Sequence, residues 1–327
     1  MYIAMKRYNH LFEKIIDIDN LLLAHYNARK GKTHYSEVQE IDKDPLFYCH
    51  QIQQMLLNNQ YTVSNYRIKE IYEPKHRIIH ILPYYPDRII QHAIMQIINP
   101  IFESTFISTS YAARKGKGLH EASYKLRQYL QDKSNTLYCL QFDIQQFYPS
   151  INHNILKSFI NKKIKCKQTL NLINTIIDSN KLGIPIGNYI SQLFGNIYLN
   201  ELDHYIKEQL HCKYYIRYCD DGIILDKYKY NLINVKKSIE SYIHTIYLTL
   251  KPSTIIYPSY IGINFLGYIH YNQYTKLRKS IKLKMIKTVK HIYNVQNPLS
   301  VIASYKGWLI HCNGKTLYNK YITKNFY

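Results

Sequence analysis

Apolar residues recur along this chain with two different periods, and the exchange between them predicts a mixed α+β fold. Helical spacing runs through the first 70 residues, as in HLFEKIIDIDNLLLAHYNARK (10–30) and LFYCHQIQQMLLNN (46–59). Residues 66–85 alternate between apolar and polar side chains around a Pro-Lys pair, which predicts a β-hairpin. After Pro86, residues 87–102 return to the apolar period of a buried helix.

The middle of the chain continues this exchange of helix and strand patterns. Residues 110–122 are a basic, glycine-punctuated loop, and they lead into a helix that is expected to run toward Leu130. TLYCLQFDI (136–144) predicts a strand that ends in an acid, and residues 153–180 predict helices. The Gly-Pro-Gly segment at 183–187 then predicts a loop that opens a long helix.

The charge of the chain points to a polyanionic partner. The sequence has 43 Lys and Arg against 22 Asp and Glu, a formal net charge of +21, and no acid follows Glu240. Such an excess of positive charge favours a nucleic acid over a membrane surface as the partner. A genome rich in Lys, Asn, Ile and Tyr codons would also explain many lysines and the 35 tyrosines, but not easily the missing acids.

Cysteine usage and hydropathy predict a cytoplasmic protein. The six cysteines form no CxxC pair, so neither a disulfide framework nor a structural zinc site is expected. No run of about 18 apolar residues is present, so no transmembrane helix and no membrane partner are expected. The first residues, MYIAMKRYNHLFEKII, lack the apolar core of a signal peptide.

Three acids stand at the ends of predicted strands. Asp143 ends the strand at 136–144, and KYYIRYCDDGIILD (213–226) predicts a strand, a tight turn with Asp220 and Asp221, and a second strand. Carboxylates converging at one sheet edge would repel each other unless cations neutralised them. Two Mg²⁺ ions, with Mn²⁺ as an alternative, would bridge them to nucleotide phosphates. Asp-Asp-Gly alone is an ordinary solvated turn; Asp143 and the basic charge make the metal interpretation the better one.

These segments resemble the motifs of reverse transcriptases. YCDD resembles their Tyr-x-Asp-Asp box, and FDIQQFYPSINH (142–153) resembles their first catalytic motif. GIPIGNYISQLFGNIYLNELD (183–203) resembles the template-and-nucleotide motif, GINFLGY (262–268) the primer grip, and residues 304–321 a thumb signature. The five motifs stand in the family's order over roughly residues 67 to 321.

The resemblance implies an α+β right-hand polymerase fold, with fingers, a palm built on an antiparallel sheet, and a helical thumb. Residues 1–110 would form N-terminal helices and fingers, and residues 111–268 the palm. Within the palm segment, the helices of residues 153–182 would lie on the finger side, and residues 269–327 would form the thumb. The implied activity is RNA-directed DNA synthesis, with template RNA, the RNA/DNA duplex and dNTPs as partners.

One branch of the family fits best. Many reverse transcriptases carry Gln-Gly in the middle motif, whereas this chain has Ile186-Gly187. IPIGNYISQ, YEPKHRIIHIL and SYAARKGKGLH resemble the enzymes of diversity-generating retroelements. Those enzymes copy a template RNA while miscopying adenines, and they work with a small basic accessory protein, so such a partner and an oligomeric assembly are implied here. An antiphage reverse transcriptase of the "unknown group" type and a catalytically idle RNA-binding scaffold are the alternatives.

The resemblance also assigns roles to single residues. Asp143, Asp220 and Asp221 would be catalytic metal ligands, with the Ile144 carbonyl completing a site. The nucleotide would be contacted by the residues Arg77, Tyr148, Ile186 and Gly187. Without the resemblance, Tyr148 is as consistent with a core aromatic, and Arg77 with a strand-face arginine.

Nucleic-acid contacts are expected from three further groups. They are the loop residues Arg114, Lys115 and Lys117, the grip residues Phe265, Leu266 and Gly267, and the tail residues Lys279, Lys287 and Lys290. The tail predicts an amphipathic helix whose apolar stripe is Ile281, Met285, Val289 and Ile292. Such a helix usually has a solvated lysine face, and RKGKG is usually a surface turn. The alternative interpretation is that both groups of lysines contact phosphates of a nucleic acid.

The general acid is the point at which the chain departs from the family. Relatives often carry paired lysines near a proline after the Asp-Asp hairpin, one of them a candidate proton donor. Here Lys251 precedes Pro252 and is followed by Ser253 and Thr254. Lys251 is therefore the weak candidate that the sequence offers for this role.

Overall fold

The computed structural model describes residues 6–72 and 76–323. Its helices, in chain order, are α1 (Phe12–Ile15), α2 (Ile18–Ala28), α3 (Ser36–Ile41), α4 (Pro45–Leu57), α5 (Ile89–Glu103), α6 (Leu119–Gln131), α7 (Phe147–Ser150), α8 (His153–Asn161), α9 (Lys167–Asp178), α10 (Ser191–His204), α11 (Lys229–Thr245), α12 (Lys279–Lys290), α13 (Pro298–Leu309) and α14 (Lys315–Tyr318). No helix among the described residues is long and apolar enough to cross a membrane.

The strands form three antiparallel sheets in the described part of the chain. They are β1 (Arg67–Ile71), β2 (Arg77–Ile81), β3 (Tyr138–Asp143), β4 (Tyr214–Tyr218), β5 (Asp221–Asp226), β6 (Ile255–Pro258), β7 (Ile263–Phe265), β8 (Tyr268–His270) and β9 (Thr275–Leu277). β1 pairs with β2, four strands follow the order β4-β5-β3-β6, and β7-β8-β9 form the third sheet. The expected α+β class is thus observed, because helix-period and strand-period segments are interleaved along the chain.

The described chain divides into two compact units. Unit 1 takes residues 1–107, 144–204 and 242–249. Unit 2 takes residues 108–143, 205–241 and 250–327. Each unit is built from separate stretches of sequence, so the assignment of residues 1–110, 111–268 and 269–327 to fingers, palm and thumb stays a prediction.

Unit 1 has a helical core around α5. The predicted apolar period of this helix is confirmed, since Ile89, Ile90, Ala93, Ile94 and Ile98 are fully buried. The hairpin predicted over 66–85 is also present as β1 and β2, although its Pro-Lys turn lies outside the described residues. The helical expectation for residues 1–70 was too long, because α4 ends at Leu57 and β1 already begins at Arg67.

Unit 2 is organised around the four-stranded sheet. β3 is central and pairs with β5 on one side and β6 on the other. One face of this sheet is covered by α6, whose apolar residues share a core with those of β4, β5 and β7; this core contains Ala122, Leu126, Leu130, Ile216, Ile223, Leu225 and Phe265. The burial fixes the register, because a shift of one residue would turn every apolar side chain to the other face.

The C-terminal part of unit 2 has a second, smaller core. The predicted amphipathic helix is α12, and its apolar stripe faces inward, with Met285, Val289 and Ile292 nearly fully buried. Tyr268, Leu277 and Leu309 complete this core. The lysines Lys279, Lys287 and Lys290 are exposed, as the helical period predicts.

Candidate functional site

Asp143 and Asp221 face each other across neighbouring strands of unit 2. Asp143 is the last residue of β3, Asp221 is the first residue of β5, and the two are register partners in the antiparallel ladder. Directly opposite residues in such a ladder have Cβ atoms about 4.5–5.5 Å apart on one face of the sheet. The convergence of acids at one sheet edge, which the sequence predicted, is confirmed for this pair.

Asp220 occupies the two-residue turn between β4 and β5. Tyr218 and Asp221 close the hairpin, leaving Cys219 and Asp220 as the turn residues. Cys219 has φ = 56°, a left-handed conformation that costs a residue with a Cβ about 1–3 kcal/mol when the surroundings impose it. The strained turn places Asp220 directly beside the Asp143–Asp221 pair.

The buried side chain of Arg217 stabilises this turn. Its side chain is only 1% exposed, and Nη1 donates to the Cys219 carbonyl at 2.9 Å. Nη2 donates to Ser110 Oγ at 3.0 Å, which joins the turn to the loop before α6. A buried guanidinium with carbonyl and hydroxyl acceptors is costly to replace, because its removal leaves those acceptors unpaired.

Gly222 allows the ring of Phe142 to lie against β5. These residues are register partners one position behind the two facing acids. A Cβ on Gly222 would come within 2.1 Å of Phe142 Cζ, and that ring is 1% exposed and stacked with Tyr215. The glycine of the Asp-Asp-Gly triplet is therefore required by its packing against Phe142.

Lys251 contacts Asp143 twice. Its backbone N–H donates to the Asp143 carbonyl at 2.8 Å, and its ammonium forms an ion pair with Asp143 Oδ2. The side chain of Lys251 is 30% exposed, so solvent reaches the pair. The candidate proton donor thus lies at the carboxylates.

The electrostatics of Asp220 and a buried, unpaired oxygen of Asp143 fit a divalent cation. Burial and the charge of Asp143 raise the pKa of Asp220, against a smaller opposing effect of Lys251. Asp143 Oδ1 is buried and has no hydrogen-bond partner among the described residues. Carboxylate oxygens are the ligands that Mg²⁺ prefers. No three His, Cys, Asp or Glu side chains in residues 6–72 and 76–323 are already arranged as a metal site, so these side chains, including Lys251, would have to rearrange around an ion.

In unit 1, the Ile186-Gly187 pair lies against β2. The Ile186 carbonyl accepts a hydrogen bond from the His80 N–H at 2.7 Å. Gly187 has φ = 128°, and a Cβ there would lie 2.2 Å from the His80 carbonyl oxygen. Only glycine combines this conformation with this approach, so the predicted loop is clamped to the hairpin. Arg77 is the exposed first residue of the same strand.

Tyr148 is half-buried in unit 1 against α10. Its carbonyl accepts from the Ile184 N–H at 2.9 Å. A Cβ on Gly195 of α10 would lie 3.4 Å from Tyr148 Cε1 and 3.1 Å from Phe147 Cε1. Because Gly195 has no side chain, the rings of Phe147 and Tyr148 can pack closely against α10. Ile144, which follows Asp143 in sequence, is 1% exposed.

The basic loop before α6 is held largely by its own side chains. Arg114 is buried and donates to the Ser110 carbonyl at 2.7 Å. Lys117 donates to the Ser108 carbonyl and lies over the Tyr111 ring at 5.0 Å. Lys115 is exposed. The interactions of Arg114 stabilise the loop, and its contact with nucleic acid stays a prediction.

The grip residues lie between the two cores of unit 2. Phe265 is buried, and Leu266 packs on the same core with φ = 50°. The Gly267 carbonyl accepts from the Arg278 N–H at 2.9 Å, which connects the grip to the start of α12.

Sequence reasoning missed three residues that position functional side chains, two of them in unit 2 and one in unit 1. Arg217, Phe142 and Gly195 carry none of the predicted chemistry, but they position residues that do. A signal existed for Arg217, since an arginine inside the apolar strand YYIRY needs buried acceptors. The partners of Phe142 and Gly195 depend on packing between distant segments and leave no local pattern.

Comparisons with known proteins agree with this arrangement. The family described as "Reverse transcriptase (RNA-dependent DNA polymerase)" matches residues 69–270. Protein YkfC of Escherichia coli is 28% identical over 140 residues, which is 39% of this chain and 37% of that protein. The group II intron-encoded protein LtrA of Lactococcus lactis is 29% identical over 135 residues, 38% of this chain and 22% of LtrA. The aligned regions thus span little more than a third of these curated relatives at most.

Solved structures show the fold. Apo telomerase from Candida tropicalis superposes with a TM-score of 0.50 at 14% identity, covering 64% of this chain and 48% of that one. Telomerase from Candida albicans in complex with a fragment of telomeric RNA gives a TM-score of 0.50 at 12% identity, covering 81% and 55%. The predicted right-hand polymerase fold is confirmed. With its acids at the paired ends of β3 and β5, and with a family match over more than half its length, the chain belongs to the reverse transcriptase family.

Proposed function

We propose that this protein is an RNA-directed DNA polymerase that copies a template RNA into cDNA. The observation that carries the proposal is the register of β3 and β5, which sets Asp143 opposite Asp221 with Asp220 at the adjoining turn. Family membership supports it, since reverse transcriptases normally use divalent metal ions. The net charge of +21 suits template RNA and an RNA/DNA duplex as partners.

Asp143, Asp220 and Asp221 would hold two Mg²⁺ ions, with the Ile144 carbonyl as a further oxygen ligand. Such ions, when bound, stabilise the charge on the attacking and leaving oxygens of an in-line phosphoryl displacement. The protein contributes rigidity: the hairpin, the Arg217 contact to Cys219 and the packing of Phe142 on Gly222 fix where the acids sit.

The reaction joins the 3′-hydroxyl of a primer to the α-phosphate of a dNTP, releasing pyrophosphate. Catalysis of this kind is mostly positioning and charge neutralisation. Arg77 offers a guanidinium for the triphosphate. Tyr148, held in place against Gly195, would exclude a 2′-hydroxyl and favour deoxynucleotides. The partly exposed ammonium of Lys251, which pairs with Asp143, is the candidate proton donor.

The specific role we propose is copying within a diversity-generating retroelement, with a small basic accessory protein as partner. Ile186 supports this assignment, because an apolar side chain cannot supply the hydrogen bond that Gln would give beside a nascent base pair. Selection of the correct nucleotide depends on differential stabilisation of the transition state. Loose packing at Ile186 would reduce the difference in transition-state free energy between incorporation of a correct and of an incorrect nucleotide.

Primer extension on a defined RNA, followed by sequencing of the cDNA, tests both levels of this proposal. We expect RNA-templated synthesis with frequent errors opposite template adenine. Ile186→Gln and Arg77→Ala should change the error rate, since each alters the surroundings of the incoming nucleotide. Leu299→Gln changes an exposed apolar residue of α13 and should leave the error spectrum unchanged.

The result separates the alternatives. Accurate copying by the wild type, with its own RNA and accessory protein present, would remove the retroelement assignment and favour an antiphage reverse transcriptase. RNA binding without any extension would instead support an idle scaffold and overturn the polymerase.

The lysine face of α12 is expected to bind the backbone of the nucleic-acid duplex. Replacing Lys279, Lys287 and Lys290 with Ala should reduce the slope of log affinity against log salt by up to about three units, because each phosphate contact releases a counterion. The measurement is fluorescence anisotropy of a labelled RNA/DNA duplex over a salt series.

The matched control removes three exposed lysines elsewhere in unit 2, at Lys133, Lys227 and Lys229. It changes the net charge equally and should alter the slope far less. Equal slopes in the two triple variants would show that the α12 face is merely solvated.

A further inference from the structure

Three side chains at the start of α5 share one face of the helix in unit 1. Arg88, Gln91 and His92 stand at helical spacing of i, i+3 and i+4. Gln91 and His92 both face the segment at 189–190: Gln91 Oε1 accepts from the Ile190 N–H at 3.4 Å, and His92 stacks on Tyr189. None of these side chains belongs to the metal or nucleotide assignments above.

This face carries an unusual concentration of unsatisfied nitrogen atoms. Arg88 Nε, Gln91 Nε2 and His92 Nε2 are all buried and have no hydrogen-bond partner among the described residues. Gln91 is 2% exposed and His92 is 7% exposed. Buried polar groups in native proteins are normally paired, so several orphaned nitrogens on one face indicate a ligand or ordered water.

The same face carries the positive charges of Arg88 and Lys32. Burial lowers the pKa of Arg88, and the groups that oppose this effect are the phenols of Tyr84, Tyr189 and Tyr35. The charge of Arg88 also lowers the pKa of Lys32, which places that ammonium near the guanidinium. Asp87, next to Arg88 in sequence, instead accepts from Tyr61 Oη at 2.8 Å.

Water would satisfy the nitrogen atoms but not the charge. Burial and the charges of Arg88 and Lys32 lower the pKa of His92 to about 4, so His92 is neutral near pH 7 and adds a hydrogen-bonding nitrogen rather than a third charge. Two uncompensated cations beside neutral polar groups match an anion. A guanidinium in particular pairs with phosphate through two parallel hydrogen bonds.

An aromatic surface adjoins this cluster. Tyr189 lies parallel to His92, with ring centroids 3.9 Å apart and an interplanar angle of 5°. Its side chain is still 38% exposed. Single-stranded RNA is commonly bound by cations along its backbone and by aromatic rings against its bases. The combination therefore favours a strand of RNA over an isolated anion.

We propose that Arg88, His92, Gln91 and Lys32 form a binding site for a backbone phosphate of single-stranded RNA, with Tyr189 beside it as a stacking surface for a base. The proposal rests on the proposed function in one respect, that RNA is the template. The RNA at this site would be a part of the template that is not yet paired with cDNA.

The test compares RNA binding by an Arg88→Gln/Lys32→Gln double variant with the wild type. Anisotropy of a labelled single-stranded RNA over a salt series should give a slope lower by about 0.7 units, since the site binds one phosphate and each single-stranded phosphate contact contributes about that much. The control is Lys14→Gln/Lys167→Gln, which removes two exposed charges from the same unit. Arg88→Lys, which keeps the charge, should retain most of the slope if the double variant proves unstable.

The outcomes are distinct from those for the polymerase itself. Equal slopes for the Arg88/Lys32 and Lys14/Lys167 variants would overturn the site, even if primer extension is intact. An unchanged RNA slope with a raised KM for dNTP would mean that a free nucleotide phosphate binds there, which also overturns it. A lower slope for the Arg88/Lys32 variant, together with a wild-type chain that binds RNA but shows no extension, would leave the site standing and remove the polymerase.

Discussion

Asp220→Asn is expected to lower nucleotide incorporation by at least about a thousandfold, because a neutral amide is a poor ligand for Mg²⁺ and the transition-state charge would lose its stabilisation. RNA binding should persist, since the lysines and arginines proposed to carry it are distant in sequence from the turn. The measurement is single-turnover primer extension with saturating template, alongside RNA affinity.

The stability of this variant gives an independent check. Burial and Asp143 raise the pKa of Asp220, so its ionised form destabilises the fold near pH 7 in the absence of metal. Replacing it with a neutral amide of the same shape should keep or increase the free energy of unfolding without metal. Inactivity would then not be explained by unfolding.

Asp226→Asn is the matched control. It lies at the other end of β5, where its carboxylate accepts from the Tyr228 N–H at 2.7 Å. It should leave incorporation nearly unchanged. Full activity of Asp220→Asn would refute the assignment of the acids as metal ligands.

The elements that place the acids were predictable because each has a local signal. β3, β4 and β5 alternate or run apolar up to an acid, and the turn at Cys219-Asp220 is bounded by two such runs. We could predict that Asp143 and Asp221 lie close together, because the ends of neighbouring strands converge at one edge of a sheet. That they are direct register partners did not follow, since register depends on how the whole face of the sheet is buried.

What the sequence could not provide is the packing that holds the site. The contact of Gly187 with His80 joins segments more than 100 residues apart, and so does the ion pair of Lys251 with Asp143. The β7-β8-β9 sheet was also not predicted, because three-residue strands are too short for a period to show. Helix α12 was predictable, as its apolar stripe repeats over three turns.

The packing of Phe142 on Gly222 leads to the second large effect that we expect. Gly222→Ala places a Cβ within 2.1 Å of a ring that is 1% exposed, so the ring or β5 must shift. Overpacking of this kind costs about 1–3 kcal/mol of stability. Phe142 and Gly222 directly adjoin Asp143 and Asp221, and a displacement of about 1 Å at a reacting centre can cost about a hundredfold in rate. Thermal unfolding and primer extension measure the two losses.

A second substitution should restore what the first removes. Leucine lacks the outer ring atoms that the new Cβ would meet, so Phe142→Leu/Gly222→Ala should recover much of the activity lost in Gly222→Ala alone. This non-additivity is the signature of a direct contact. Gly307→Ala in α13 meets nothing within 4 Å and should be harmless, which separates the packing effect from any general intolerance of glycine replacement. A double variant no more active than the product of its two single effects would show that Phe142 does not set the position of the acids.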